Sequence, residues 1–384
     1  MKDYIRNSRP FNQVCHNSFG RQVIYTNEKK ITSGNVVKEL TKALSTHRQN
    51  AEEIDYLYNY YLGNQPVLYR QKQVRPEINN KVVQNTAYFI VETKTADIAS
   101  EPIQYVLRGT DEKKSEEIAN LNNIMENEDK AYSDICLARW RSICGTSYRF
   151  ISNDDGRSSL LDETEFRIDV LDPRNVFVVY FNNNVPAFSV QLTKDEKNKN
   201  LYYIYTRDQW FIISANKIID SGTNGFLAIP VIIDDLFNKL LVIQGIANRE
   251  GNTGGDTMGA VNLRNGYIDS EKRAELSEPS FKKAEKDFLR IVLYTMSVRN
   301  QTSLKISDIE IKISRSKMDN MLTKAETLKL LLDSGIYPER ALKSVGFFAD
   351  PEQVAIESKK RFDILYPQEA QTPNETVEVV DEVR

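Results

Sequence analysis

Several stretches of this chain carry residue types whose spacing chemistry could exploit. The glycine-rich run "GNTGGDTMGA", starting at Gly251, is the candidate for a phosphate cradle. A P-loop needs a lysine to reach the outer phosphates and a following hydroxyl to hold magnesium, but Asp256 and Thr257 stand in those places. The run therefore reads as a loop ahead of a helix. Asp162, Glu163 and Glu165, or Asp234 with Asp235, could act as paired acids or magnesium ligands. Acid groups of this kind also serve at turns and helix starts, where they complement the helix dipole. Cys15 beside His16 is a weak nucleophile and base pair, because the fold rather than adjacency ordinarily joins such partners. Arg70, Lys72, Arg75 and Lys81, close to Tyr69, could contact phosphates or stack on bases. Glu77 lies among them, and a solvated or subunit-contacting face is the plainer reading.

Composition narrows these options. Histidine occurs only as His16 and His47, which argues against hydrolase triads and zinc centres, the chemistries that use it most. The three cysteines, Cys15, Cys136 and Cys144, are too few and scattered for a disulfide framework, so a reducing compartment fits. The formal net charge is −3 and the sequence pI about 5.8, so no global cationic field draws the protein to DNA or anionic lipid. No apolar run approaches the roughly 18–20 residues needed to span a bilayer, and the first residues lack the apolar core of a signal peptide. The expectation is a soluble protein, neither secreted nor integral to a membrane. At 384 residues and 40% hydrophobic content the chain can bury a sizeable core in two or three domains.

The elements that must position these residues follow from periodicity. Residues 1–32 are polar and aperiodic and read as an arm that orders only against a neighbour. From Val37, the positions Leu40, Leu44, His47, Ala51, Ile54, Tyr58 and Tyr61 mark one face of a helix that Gly63 and Pro66 stop. Asn79 or Asn80 can cap a second helix with the face Val83, Phe89, Ile90 and Ile98, ending before Pro102 and a short strand "IQYVL". After the charged stretch "GTDEKKSEEIANLNNIMENEDK", a helix is predicted over 131–144, with Ile135, Leu137, Trp140 and Ile143 as its apolar side. Beyond Gly145, segments rich in Val, Ile, Phe and Tyr, separated by turn residues, predict an antiparallel meander. Its aromatics, among them Phe166, Phe177, Tyr180, Tyr202, Tyr205, Trp210 and Phe211, read as core packing rather than a stacking platform. A long helix is predicted over 259–298 and should kink or break at Pro279. A strand "IEIKISR" follows, then helices near 318–334, 338–345 and 351–364, the last with Asp350 as N-cap. The acidic tail from Pro367 has no core pattern and reads as disordered.

The order of these segments resembles the portal proteins of tailed bacteriophages, of the siphophage type. That family has a tyrosine-rich helix ending in "YYxGxxP", a basic linker, and "NNK" leading a helix that ends before a proline and a short strand. Here these are "YYLGNQP" from Tyr60, "INNKVVQN" from Ile78 and "EPIQYVL" from Glu101. The resemblance continues in order through "ICGTSYRF", "DPRNVFVVYF", "IPVI", "GNTGGDTMGAVNLR" and "ADPEQVAIESKKR", and covers most of residues 33–366. One departure stands out. Between "IPVI" and "GNTGG" the family has a long segment carrying stem helices and a clip, where this chain has only "IDDLFNKLLVIQGIANRE". A reduced stem, residues left out of the chain, or a defective remnant are the alternatives.

The resemblance implies an α+β, mainly helical portal fold with an antiparallel β wing layer, a long kinked tunnel helix and a C-terminal helical crown. On this chain the parts fall at 1–32 (arm), 33–228 (wing), 229–258 (shortened stem or clip and tunnel loop), 259–300 (long helix), 301–317 (returning wing strand), 318–366 (crown) and 367–384 (acidic tail). It implies a ring, usually a dodecamer, at the unique capsid vertex of the virion, assembled in the host cytoplasm, through which double-stranded DNA is packaged and ejected. The partners would be the terminase large subunit, major capsid protein, scaffolding protein and head-completion or adaptor proteins, with no cofactor, membrane or catalytic role. Asn252, Thr253, Asp256 and Thr257 would face the DNA channel, and Arg70, Lys72, Arg75 and Lys81 would meet neighbouring subunits or coat protein. Twelve subunits carry roughly −36 formal charges, a field that favours sliding over gripping. A monomeric head-tail adaptor, a defective portal remnant, and a metal-dependent DNA-acting enzyme are the alternative readings.

Overall fold

The tyrosine-rich segment forms one helix, α1 (Val36–Tyr61), whose buried positions Val36, Leu40, Ala43, His47, Ile54 and Tyr61 follow the three-and-four spacing of its sequence. In the computed structural model, residues 21–69, 81–109, 111–153, 166–235, 267–298, 301–313, 321–346, 348 and 351–365 are described. They belong to two compact units that divide between Ser316 and Lys317.

In the first unit α1 packs beneath a six-stranded sheet. Strands β5 (Val176–Phe181), β6 (Pro186–Lys194), β7 (Asn200–Thr206), β8 (Gln209–Ser214) and β9 (Lys217–Thr223) form an antiparallel meander. The outer edge beside β5 is taken by β1 (Ile24–Thr26), which pairs in parallel, Ile24 against Val179. This overturns part of the expectation for residues 1–32, because β1 orders against its own chain, with Ile24 and Ile31 buried in the core that α1 shares with the sheet. Gly222 sits in β9 for a local reason: its partner across the strands is Trp210, and a Cβ there would come within 2.7 Å of the indole. Of the meander's aromatics, Phe177 and Phe211 are buried, while Tyr202, Tyr203, Tyr205 and Trp210 are half-buried.

The strands β3 (Thr146–Asn153) and β4 (Phe166–Leu171), expected within the meander, form a separate antiparallel sheet with β10 (Val231–Asp235), in the order β10-β3-β4. A third, two-stranded sheet joins β2 (Gln104–Leu107) to β11 (Ile309–Lys312). Around these lie helices α2 (Thr86–Ala99), α3 (Glu112–Asn127), α4 (Lys130–Cys144) and α5 (Tyr267–Val298). Two helix expectations need correction. α2 starts at Thr86 with Asn85 as N-cap, whose side chain accepts from the Tyr88 N–H, and its buried face is Val91, Thr95, Ile98 and Ala99 rather than Val83, Phe89 and Ile90. The charged stretch before residue 131 is itself a helix, α3, capped by Asp111 and burying Ile118, Leu121 and Met125 at helical spacing amid its charges.

The long helix α5 is unbroken through Pro279 and buries Phe281, Phe288, Leu289, Ile291, Val292, Leu293 and Met296 in the largest core, together with residues of α2, α3, α4, β2, β3, β4 and β11. The second unit contains α6 (Met321–Asp333), α7 (Pro338–Val345) and α8 (Pro351–Leu365). α7 has Pro338 at its first turn and Gly346 as a left-handed cap, and buries Ala341, Leu342 and Val345. The Asp350 cap expected for α8 lies outside the described residues. The protein is thus a mixed α+β molecule whose sheets are mainly antiparallel.

Candidate functional site

Of the residues singled out from sequence, Asn252, Thr253, Asp256, Thr257, Arg70, Lys72 and Arg75 lie outside the described residues, as do Cys15, His16, Asp162, Glu163 and Glu165. Lys81 is described and exposed, a few residues ahead of α2. Asp234, one of the candidate acids, is buried and ion-paired with Arg141. Among the described residues, no group of His, Cys, Asp and Glu is arranged to hold a metal ion. His47 is buried on α1, stacked on Phe177 with ring centroids 4.2 Å apart, and its Nε2–H donates to the Arg174 carbonyl at 3.0 Å.

What the fold brings together instead is a buried set of charges that the sequence pattern did not disclose. The inward face of α4 carries Lys130, Ser133, Asp134, Leu137, Ala138 and Arg141, where Ile135, Leu137, Trp140 and Ile143 were expected. Lys130 Nζ lies 2.5 Å from Asp134 Oδ2 and 3.0 Å from Glu285 Oε1 on α5. Arg149 of β3 reaches Glu285 Oε2 at 2.9 Å and also contacts Asp134, and the Tyr105 hydroxyl of β2 donates to Glu285. Each of the four charged side chains is at most 5% exposed. Two cations thus face two carboxylates, with Phe288 beneath both cations: its ring centroid is 4.3 Å from the Arg149 guanidinium carbon and 5.5 Å from Lys130 Nζ.

The electrostatics explain why such a cluster survives burial. Burial raises the Glu285 carboxyl, but the charges of Lys130 and Arg149 and the Tyr105 hydrogen bond outweigh it and hold the group down to about 2. For Asp134, burial prevails over the same two cations and, with the nearby Glu285 charge, pushes it above the usual carboxylate range. Burial and the neighbouring carboxylates raise the Tyr105 phenol far above its ordinary value, so it serves as a donor only. The arrangement has no open position for a substrate. It acts as a clamp, because each carboxylate must meet both cations, and a rotation or one-turn shift of α5 would leave buried charges unpaired.

Arg141 makes a second such joint. Its Nε lies 3.1 Å from Asp234 Oδ2 on β10, and its Nη2 donates to the Ser277 carbonyl at 2.9 Å and to Ser280 Oγ. Ser277 and Ser280 flank Pro279, so the guanidinium ties α4 to α5 beside the position where the missing proline N–H interrupts the helical ladder.

The helical joint between α1 and α2 is held by different means. Gly63 has φ +80°, and the Asn85 side chain, which caps α2, also donates to the Tyr61 carbonyl at 2.9 Å. The Tyr61 hydroxyl donates to Glu92 at 2.7 Å, and Arg139 of α4 grips the same carboxylate through two hydrogen bonds of 2.9 and 3.2 Å. Tyr58 stacks on Trp140 at 5.0 Å, and Arg174 lies over the Tyr58 ring while pairing with Asp55 and Asp172.

Comparison with protein families finds a match over residues 41–239 and 242–363 to the model described as phage portal protein, SPP1 Gp6-like. Comparison with curated proteins finds no match.

Proposed function

Because the chain belongs to the phage portal proteins of the SPP1 Gp6-like family, we propose that it assembles into a closed ring of about twelve copies at one vertex of a bacteriophage capsid. The ring forms the channel through which double-stranded DNA enters and leaves. It docks the terminase large subunit during packaging and head-completion proteins afterwards, and contacts the major capsid protein and scaffolding protein during assembly. The observation that carries this reading is the extent of the family match, which takes in almost every described element from α1 to α8.

Within that ring, α1 to β9 form the wing, to which β11 returns, α5 lines the tunnel, and α6 to α8 form the crown. The loop holding Asn252, Thr253, Asp256 and Thr257 faces the DNA, polar but without fixed positive charge, which suits a duplex that must slide. The buried clamp on α5 supports this assignment, since a helix exposed to a moving duplex needs a rigid seat on its own subunit. The break in the family match at residues 240–241 falls within the segment read as a shortened stem and clip. The ring has no catalytic role of its own, and hydrolysis of nucleotide belongs to the docked motor.

Light scattering combined with negative-stain imaging of the purified protein tests the proposal. Closed rings of about twelve subunits with a central hole are expected. A stable monomer at all concentrations would contradict it and favour a monomeric adaptor or a portal remnant that no longer assembles.

A further inference from the structure

Two exposed surfaces of the first unit are complementary in charge. On α5 the exposed positions Pro279, Lys283, Lys286 and Arg290 recur at three and four residues and so form one stripe. Lys282 and Arg290 are paired within the helix, with Glu278 at 2.6 Å and with Asp287. Lys283 and Lys286 make no ion pair among the described residues, which leaves two neighbouring ammonium groups in solvent. The acidic counterpart lies where α3 passes into α4. Glu126 and Asp129 are exposed there, and Asp129, at φ +49°, turns the chain without its side chain capping α4. Beside them is an open cleft of about 520 Å³, with room for the ends of long side chains, lined by Glu128, Asp129, Tyr132 and Cys136 among others. Its β4 side is closed by the ion pair of Arg167 with Asp169 at 2.7 Å. Tyr132, 68% exposed, offers a ring that an ammonium can approach.

Position decides which chain can join them. Lys130 reaches Glu285 and Arg141 reaches the Ser277 carbonyl, so α4 meets α5 with its Lys130–Arg141 face. By helical spacing Tyr132 and Cys136 fall on the far side of α4 from that face, and Lys283 and Lys286 fall on the side of α5 turned away from the buried Glu285, Phe288 and Val292. The two surfaces therefore face outward on opposite sides of the α4–α5 pair, and a chain cannot satisfy its own stripe. Two different, complementary surfaces that face opposite ways make a head-to-tail contact, the kind from which rings are built, rather than a two-fold dimer.

We propose that Lys283 and Lys286 on α5 of one copy dock against Glu126, Asp129 and Tyr132 of the next. The contact rests on the ring reading and names a surface that joins neighbouring copies; it leaves the turns of α5 ahead of Pro279 to the channel. Charge reversal tests it. One variant carries Lys283→Glu with Lys286→Glu and a second carries Glu126→Lys with Asp129→Lys, all at exposed positions. Each should keep the melting temperature of the dissociated chain and raise the concentration needed for assembly, read by sedimentation, by about tenfold or more, because like charges then meet. An equimolar mixture of the two, combined as dissociated chains, should assemble as the unsubstituted protein does, since in alternation every reversed stripe meets a reversed cleft and every native stripe a native one. A chain with all four substitutions should assemble as well. Ordinary assembly of either variant alone, or failure of both the mixture and the fourfold variant, would overturn the contact, while rings of the unsubstituted protein would leave the portal reading standing. An unsubstituted protein that stays monomeric removes the ring and this contact together.

Discussion

At the scale of single residues, the clamp on α5 makes a sharp demand. Glu285→Gln leaves Lys130 and Arg149 facing Asp134 alone, a buried charge without compensation, and should cost about 3–5 kcal/mol of stability. Urea unfolding measures this, and a loss below about 1 kcal/mol would mean that the charges are solvated rather than clamped. His47 gives a pH signature. Burial holds its imidazole down to about 4 from an ordinary 6.5, with the Arg174 hydrogen bond opposing and the Arg21 charge assisting. The unfolded chain therefore takes up a proton first as pH falls. Stability from the neutral ring is complete above about pH 6.5 and is lost towards pH 4, by about 3 kcal/mol. His47→Phe, which keeps the stacking surface on Phe177, should lose correspondingly less between pH 7 and pH 4.5, and equal losses in both proteins would contradict the assignment. Neither role was legible in the sequence beyond placing His47 on the buried face of α1. Lys130 fell in the charged stretch ahead of the predicted helix, and Asp134 and Arg141 fell off its expected apolar side, because periodicity detects apolar burial and is blind to charges that find partners at long range.

At the scale of elements, the fold was legible where local rules are strong. The spacing of α1, the Val-, Ile-, Phe- and Tyr-rich segments of the meander, and the helix near 338–345, which is α7, follow from residues that act on their immediate neighbours. It was less legible where distant pairing decides. β3 and β4 look like meander strands but form their own sheet, in which β3 pairs with β10 some eighty residues later, and β1 is three residues long, too short to announce itself. The linker between α1 and α2 carries Arg70 and Arg75 outside the described residues, and the described residues on either side of it in sequence include exposed Leu62, Tyr88 and Phe89. Lying in sequence between α1 and the Asn85-capped α2, this linker is proposed to meet a neighbouring subunit or coat protein. Changing both arginines to glutamate should then weaken ring assembly in sedimentation while leaving the melting temperature of the dissociated chain unchanged. Rings of ordinary stability from that variant would move the contact elsewhere.

At the scale of the whole molecule, a slightly acidic chain with a rigidly seated long helix suits a conduit that must not bind what it conducts. Net charge, the missing P-loop lysine and the scarcity of histidine were all readable from composition, and they set the boundaries that the family match fills. The orientation of α5 in an assembly was not readable, because it depends on contacts between copies. Cryo-electron microscopy of the assembled protein with duplex DNA tests the account most directly. It predicts a closed ring in which the α5 helices stand side by side around the duplex, with residues 251–258 nearest the axis. A ring whose central hole is lined by other elements, or a protein that forms no ring at all, would contradict it.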